Sequence, residues 1–563
     1  MTMLRTLPEA LAEAARGGGG YCFVANGVDT HRSYEAVRLA SCRIARALRE
    51  SGLRRGDLVA LVLGDAEQFL ETLLGASIAG VIPASLYPPA GSSGDLSRYM
   101  DLTAGILRAS GARAVVTWGA LAPEFEKLRA TCPDLALVLS SESLDAPALE
   151  PDALPSLDDI AFVQFTSGST AAPKGVALTH RNVSANVDAM NGPHGVSTGE
   201  GDVAVSWLPL NHDMGLVGMA LGPLYAGRSC VLMTPQAFVK RPVEWLRMLT
   251  RHRGTISFAP NFAFDLCVRR VKEPDVSGLD LSRWRVAGCG AEPIHAPTLA
   301  AFAAKFAPVG FRATSFLPSY GLAEHVLAAT FSPRGRAPRV EALSADELTE
   351  RRAARPARDG SLSLTLVSCG RPFPGHGIRI VSEDGRPLPE RQVGEIVLTG
   401  PSVMLGYYRD DRLTAQTVRD GWLQTGDLGY LSDGELYVCG RAKDIVIVNG
   451  RKYHPQDFEW AVDSLVGVRR GRVVAFGTSV PGRPDRVVIV VEPSGTVPGD
   501  VLTGAIRRQV SDLFGLYVDD IVLVPSGTVG RTTSGKVQRA ATKARYERDQ
   551  LLDEGAQDLG LRA

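Results

Sequence analysis

The 563 residues carry no excess of charge of either sign, with 61 Lys+Arg against 61 Asp+Glu. Nucleic-acid and anionic-membrane binding usually need a basic surface, so composition supports neither partner. The sequence also lacks any paired cysteine pattern. Its eight cysteines (Cys22, Cys42, Cys132, Cys230, Cys267, Cys289, Cys369, Cys439) are scattered and none forms a CxxC pair. That excludes a metal knuckle and a disulfide framework, and leaves small core residues of a reducing, cytoplasmic protein. No uncharged apolar run is long enough to span a bilayer, so no integral membrane segment is expected. The N-terminal stretch, MTMLRTLPEALAEAARGGGG, reads as a short polar helix followed by a glycine run, without the apolar core of a signal peptide. There is no fixed-period repeat and no long low-complexity tract.

What is there is an ordinary globular composition, 45% hydrophobic and 22% charged, on a chain long enough for more than one domain. Ser33 stands as an N-cap before Val37, Ala40, Ile44, Ala47 and Leu48, which share one helical face. Leu58 to Leu63 (LVALVL) has the look of a buried strand, and a helix is expected over about Glu67 to Ala79 before Val81-Ile82-Pro83. The same rhythm recurs at Ala114 to Thr117, Leu135 to Leu139, Ile160 to Phe165, Ala204 to Leu208 and Cys230 to Met233. It predicts parallel sheets covered by helices. AGSSGD, from Ala90 to Asp95, reads as a loop. Residues 337–360, rich in Arg, Glu and Ala, read as a solvated insertion rather than core. From about Arg371 the segments GIRIV, GEIVLTG and GELYVCG predict a β-rich subdomain. A small unit of mixed helix and strand follows from about Arg441, with RVVAFGT, RVVIVVEPS and DIVLVPS.

Two loops could hold phosphate. Phe165-Thr166-Ser167-Gly168-Ser169-Thr170-Ala171-Ala172-Pro173-Lys174-Gly175 lies between two apolar runs. Small residues there let backbone N–H groups approach an anion, hydroxyls add donors and Lys174 adds charge. The same composition would also make a plain Ser/Gly hairpin. Gly530-Arg531-Thr532-Thr533-Ser534-Gly535-Lys536 matches GxxxxGK after an apolar strand. However, residue 537 is Val, which has no hydroxyl for Mg²⁺, so this is not read as a Walker loop. Lys536 reads instead as a charge delivered on a loop to a site elsewhere, or as an ordinary surface lysine.

Together these segments resemble, in order and over nearly the whole chain, the adenylate-forming superfamily of acyl-CoA synthetases, adenylation domains and luciferases. FTSGSTAAPKG resembles its phosphate loop. Gly290-Ala291-Glu292-Pro293 resembles the strand end that packs on adenine. Ser319 precedes Tyr320-Gly321-Leu322-Ala323-Glu324, which resembles the motif whose aromatic meets adenine and whose Glu holds Mg²⁺. Gly421-Trp422-Leu423-Gln424-Thr425-Gly426-Asp427 resembles the ribose-binding segment, and Gly440-Arg441-Ala442-Lys443-Asp444 the hinge, with Arg441 reaching ribose and Lys443 at the pivot. Arg531 to Lys536 resembles the loop of the catalytic lysine. Within the superfamily the chain is most similar to fatty acyl-AMP ligases. That likeness rests on Trp207 to Leu216 (WLPLNHDMGL), Ala259 to Cys267 (APNFAFDLC), Val367 to Pro372 (VSCGRP) and Asn449 to Asp457 (NGRKYHPQD). It departs from many relatives in having Asn211 where they carry an aromatic.

The resemblance implies an α/β fold: a large N-terminal domain (1–440) of parallel-sheet subdomains plus the β-rich subdomain, and a small mobile α+β C-terminal domain (441–563). It implies ATP and Mg²⁺ as cofactors, a carboxylic acid such as a fatty acid as substrate, and a separate acyl carrier protein as acceptor. An acyl-CoA ligase, an amino-acid activator or a degenerate nucleotide binder are the competing expectations. Thr166, Ser167, Gly168, Ser169, Thr170 and Lys174 would hold phosphates, and Glu324 with Thr170 would hold Mg²⁺. Gly290, Ala291, Glu292, Pro293, Ser319, Tyr320, Gly321, Leu322, Asp427 and Arg441 would bind the nucleoside. Lys536 and Glu324 would be catalytic. His212 would stand beside the acyl carboxylate as a wall, because a carboxylate nucleophile needs no base at neutral pH. Trp207, Asn211, Met214, Gly215, Phe262 and Phe264 would line the acyl pocket.

Overall fold

The computed structural model describes residues 3–89, 96–148, 154–166, 174–358, 363–448, 451–478, 486–531, 537–548 and 550–551. The expected loop at 90–95 lies outside them.

Two mixed sheets with parallel interiors form the larger part. The seven-stranded sheet runs Gly406–Tyr407, Lys174–Thr179, Ile160–Thr166, Ile82–Ser85, Leu58–Val62, Ala114–Thr117, Leu137–Ser140. The nine-stranded sheet runs Arg371–Pro372, Ala328–Phe331, Phe316–Gly321, Val286–Cys289, Ile256–Ala259, Val203–Ser206, Ser229–Met233, Gly20–Ala25, Val28–Ser33. Their interior pairs are parallel, as the strand–helix–strand rhythm predicts. Among the described residues, hairpins interrupt that rhythm where Gly20–Ala25 meets Val28–Ser33, where Ile160–Thr166 meets Lys174–Thr179 and where Phe316–Gly321 meets Ala328–Phe331. Local chemistry sets the helix ends. Ser33 Oγ accepts from Ala36 N, Asp65 accepts from Gln68 N, and Gly80 closes the helix Ala66–Ala79 at φ 72°, a conformation that suits glycine.

The N-terminal helix, Leu7–Ala14, is amphipathic and docked rather than merely polar. Leu7, Ala10, Leu11 and Ala14 are buried, and a Thr6/Glu9 capping box starts it. All eight cysteines are free and buried.

An antiparallel sheet of five strands follows: Gly377–Val381, Gly394–Thr399, Trp422–Ser432, Val418–Arg419 and Glu435–Arg441. The reading of residues 337–360 as a solvated insertion needs correction. Strand Val340–Ser344 pairs with Ser363–Val367 and is followed by helix Ala345–Arg351. Leu343, Leu348 and Ala354 are buried against Val393, Tyr430, Tyr437 and Cys439 of the antiparallel sheet. Val340 is exposed, but Leu343 and Leu348 share the buried side, which the composition hides. The last unit has a three-stranded sheet, Val468–Thr478, Arg486–Pro493 and Asp520–Leu523, with helices Pro455–Asp463, Gly499–Phe514 and Arg539–Glu547. Its own core includes Phe458, Val462, Ile489, Val491, Ile506 and Val510.

Candidate active site

A cavity of about 1040 Å³ opens where the two large sheets, the antiparallel sheet and the last unit meet. One corner is built by cross-strand register. Asp427 and Arg441 stand opposite each other on paired strands. Arg441 Nε lies 3.2 Å from Asp427 Oδ1, and Tyr320 Oη donates to Asp427 Oδ2 at 2.8 Å. Burial, and then the Asp427 charge, push the Tyr320 hydroxyl well above its ordinary pKa, so it remains a donor. The carboxylate is thus held in place by two donors before any ligand arrives.

A second corner gathers Glu324, Tyr407 and Lys174. Tyr407 Oη donates to Glu324 Oε1 at 2.8 Å, and Lys174 Nζ lies 5.4 Å from the Tyr407 ring centroid. Register explains the meeting, since Tyr407 pairs with Val176, two residues from Lys174. The turn carrying Glu324 is strained. Val326, a β-branched residue, sits at φ 64°, ψ −60°, and is fully buried. Such a conformation costs roughly 1–3 kcal/mol and persists only where its surroundings fix it.

A third wall comes from the ends of parallel strands. Ala291, at φ 67°, turns the chain after Val286–Cys289. Gly290 permits close packing there, because a Cβ would stand 2.7 Å from Ser319 Oγ. Ala291, Glu292, Pro293, Ser319, Tyr320, Gly321 and Leu322 line the cavity, whereas Gly290 does not. The Glu292 carboxylate accepts from Phe262 N at 2.6 Å, at the N-terminus of helix Asn261–Arg270.

The sequence-based acyl pocket is partly corrected. Met214, Phe262 and His212 line the cavity, but Trp207, Asn211, Gly215 and Phe264 do not. Trp207 is stacked on Phe238 at 3.9 Å, and Phe264 packs among Trp245, Trp284, Phe302 and Phe316. Both are core aromatics. Gly215 is pressed on the backbone, with a Cβ position 2.2 Å from Pro209 O. The segment Met214–Leu221 is a π-helix, a rare form often found beside functional sites.

The last unit supplies the remaining wall. Trp460 meets His295 at 4.9 Å between ring centroids, and Arg531 lies 5.8 Å from the Phe262 ring centroid. Lys443 also lines the cavity. Burial, then Arg441 and Lys174, hold its ammonium below the usual lysine pKa. Ser167, Gly168, Ser169, Thr170 and Lys536 lie outside the described residues, as does the side chain of Thr166. Their neighbours are placed: Phe165, Lys174, Arg531 and Val537 all line the cavity. Sequence reasoning passed over Tyr407 and Trp460. Gly406-Tyr407-Tyr408 carries no chemical signature, and only the pairing of Gly406–Tyr407 with Lys174–Thr179 gives Tyr407 its place.

Residues 11–408 match the family described as AMP-binding enzyme. A Caulobacter vibrioides protein provisionally named as an acyl-CoA synthetase is 36% identical, covering 96% of this chain and 95% of that protein. The medium-chain-fatty-acid–[acyl-carrier-protein] ligase JamA of Moorena producens is 33% identical, covering 93% of this chain and 92% of that protein. Among solved structures, one of the fatty acyl-adenylate ligases from E. coli and L. pneumophila superposes with a TM-score of 0.90 at 36% identity. That match covers 97% of this chain and 99% of the other. The chain therefore belongs to the AMP-binding, adenylate-forming enzymes, with fatty acyl-AMP ligases among its relatives.

Proposed function

We propose that this enzyme joins a fatty acid to AMP, releasing pyrophosphate, and then passes the acyl group to the phosphopantetheine thiol of a separate acyl carrier protein. The observation that carries the reading is the single cavity lined by Lys174, Glu324, Tyr320, Asp427 and Arg441. These residues come from three distant segments and are of the types that anions and a ribose need.

A fatty carboxylate attacking the α-phosphate brings two anions together, so fixed positive charge and donors must offset their repulsion. Lys174 and the loop residues Thr166, Ser167, Ser169 and Thr170 would hold the phosphates. Asp427 would accept from the ribose hydroxyls, with Arg441 beside it, and Tyr320 and Ala291 would enclose adenine. Lys536 would place its ammonium between carboxylate and α-phosphate as a compact charge. Glu324 offers the hard oxygen that Mg²⁺ takes, with Thr170 as second ligand, and the bound ion would neutralise phosphate charge. His212, Met214 and Phe262 would border the acyl group. Seating in the cavity would shield the hydrolysable adenylate from water.

Transfer to a thiol cannot share the arrangement that presents Lys536 for adenylation, so the last unit would turn about Lys443 between half-reactions. The folded 337–360 segment would restrain that turn. Arg451 meets Glu350 at 2.5 Å and Asp346 at 3.6 Å, bridging segment and last unit. A carrier protein brings contact area to offset such a restraint, whereas free coenzyme A brings less. The carrier-protein ligase from Moorena supports this acceptor.

Pyrophosphate release measured across straight-chain fatty acids, aromatic acids and amino acids, with mass spectrometry of the adenylate, tests the reading. Release should follow the fatty acids. Release driven only by amino acids, or acyl-CoA formed as fast as acyl-carrier product, would overturn it.

A further inference from the structure

The edge hairpin of the nine-stranded sheet takes no part in the cavity. Its register sets Cys22 opposite His31 and Val24 opposite Asp29, so Cys22, His31 and Asp29 share one face. Cys22 Sγ is 3.8 Å from His31 Nε2, and the ligand atoms of all three residues lie within 4.8 Å of one another. His252, which follows helix Val243–Arg251, places Nε2 3.4 Å from Asp29 Oδ2, beside the cluster.

Sulfur, imidazole nitrogen and carboxylate oxygen together are the donor set of a borderline transition metal rather than of calcium or magnesium. Zinc bond lengths of about 2.3 Å to sulfur and about 2.0–2.1 Å to nitrogen and oxygen give tetrahedral edges of about 3.5 Å (S···N) and about 3.3 Å (N···O). The observed Cys22–His31 separation of 3.8 Å is close to the first of those edges. We propose that Cys22, Asp29 and His31 form a three-residue binding site for a zinc-class divalent ion, with solvent completing the coordination.

Arg251 is the neighbouring cation: it holds Asp29 Oδ1 and donates from Nε to His252 Nε2 at 3.2 Å, so an arriving ion competes with it for Asp29. Without metal, Cys22 is a thiol, pushed up to about 11 by burial and then by Asp29. Binding breaks its S–H bond, forms a sulfur–metal bond and releases one proton to solvent. The thiolate supplies one negative charge to the ion, and Asp29 supplies a second that it shares with Arg251. The site ties the outermost strand, Val28–Ser33, to its neighbour Gly20–Ala25. Occupancy therefore stabilises the fold by mass action.

Titration of the reduced full-length chain with Co²⁺ tests this. Wild type should bind one ion, giving a near-ultraviolet thiolate-to-cobalt band and strong visible bands of four-coordinate cobalt, both bleached by Zn²⁺. Cys22→Ser should lose the near-ultraviolet band, and His31→Ala should bind at least about tenfold more weakly. Thermal unfolding without metal shows that each variant is folded, and Zn²⁺ should raise the midpoint of wild type but not of Cys22→Ser. No near-ultraviolet band in wild type at saturating cobalt, a band surviving in Cys22→Ser, or unchanged affinity in His31→Ala would each overturn the proposal.

Discussion

At the residue scale, Asp427 and Lys536 make different demands on the same cavity. Asp427 is held by Tyr320 and Arg441. Its replacement by alanine removes the acceptor proposed for ribose and strips both donors of their partner. Charge-assisted hydrogen bonds of this kind contribute about 1.5–3 kcal/mol, so Asp427→Ala should raise the ATP dissociation constant by about 10- to 100-fold. Equilibrium binding by calorimetry checks this, and unchanged affinity would remove Asp427 from the site. Lys536→Ala should instead leave ATP affinity nearly intact and slow adenylate formation by about 10²–10³, the scale of one preorganised charge. Single-turnover kinetics separates the two effects. Much of this was legible in the sequence. The residues that belong to short ordered motifs (Tyr320, Glu324, Asp427, Arg441) do converge on one cavity. The pocket aromatics were not legible. Phe262 and Phe264 are two residues apart in one helix, and only packing decides that one faces the cavity and the other the core.

At the scale of elements, the N-terminal helix depends on a buried histidine. Leu7 N donates to His180 Nδ1 at 3.1 Å, and burial lowers the pKa of His180 to about 4. An unfolded histidine titrates near about 6.5. Above that pH His180 is neutral in both states and contributes no pH dependence. Below it the unfolded chain takes a proton that the folded chain refuses, so stability falls as pH falls, by up to about 1.4 kcal/mol per pH unit until pH nears 4. His180→Gln should flatten that part of the decline, as measured by denaturant midpoints between pH 7 and pH 4.5. An equal slope in both proteins would remove His180 as a cause.

The 337–360 segment shows why composition misled. Few apolar residues are enough to bury one face of a short strand and helix against Tyr430 and Tyr437. Deleting the whole segment would therefore uncover core, and a milder cut is the better probe. Arg451→Ala removes its ion pairs with Glu350 and Asp346, which are partly exposed. Exposed pairs are worth at most about 1 kcal/mol, so acyl-CoA output should rise only a few-fold, with adenylation unchanged. Unchanged acyl-CoA yield would show that this contact does not restrain the last unit.

At the scale of the whole molecule, the strand–helix–strand rhythm foretold parallel sheets because buried parallel strands need continuous apolar runs. It could not foretell the hairpin of Ile160–Thr166 and Lys174–Thr179, since antiparallel neighbours use the same residues. Nor could it foretell the meeting of Tyr407 with Glu324, which depends on long-range strand pairing. The cavity exists only where separate units meet, and the first step proposed for it forms the bond from carboxylate oxygen to α-phosphorus while the bond from α-phosphorus to the pyrophosphate oxygen breaks. The most direct test labels the fatty-acid carboxylate with oxygen-18, runs the reaction through to a thiol acceptor and weighs the recovered AMP. If the acyl-adenylate is the intermediate, thiol attack at its carbonyl leaves the bridging oxygen on phosphorus, and AMP gains one labelled oxygen. AMP without label, or label found in inorganic phosphate or pyrophosphate, would contradict the account.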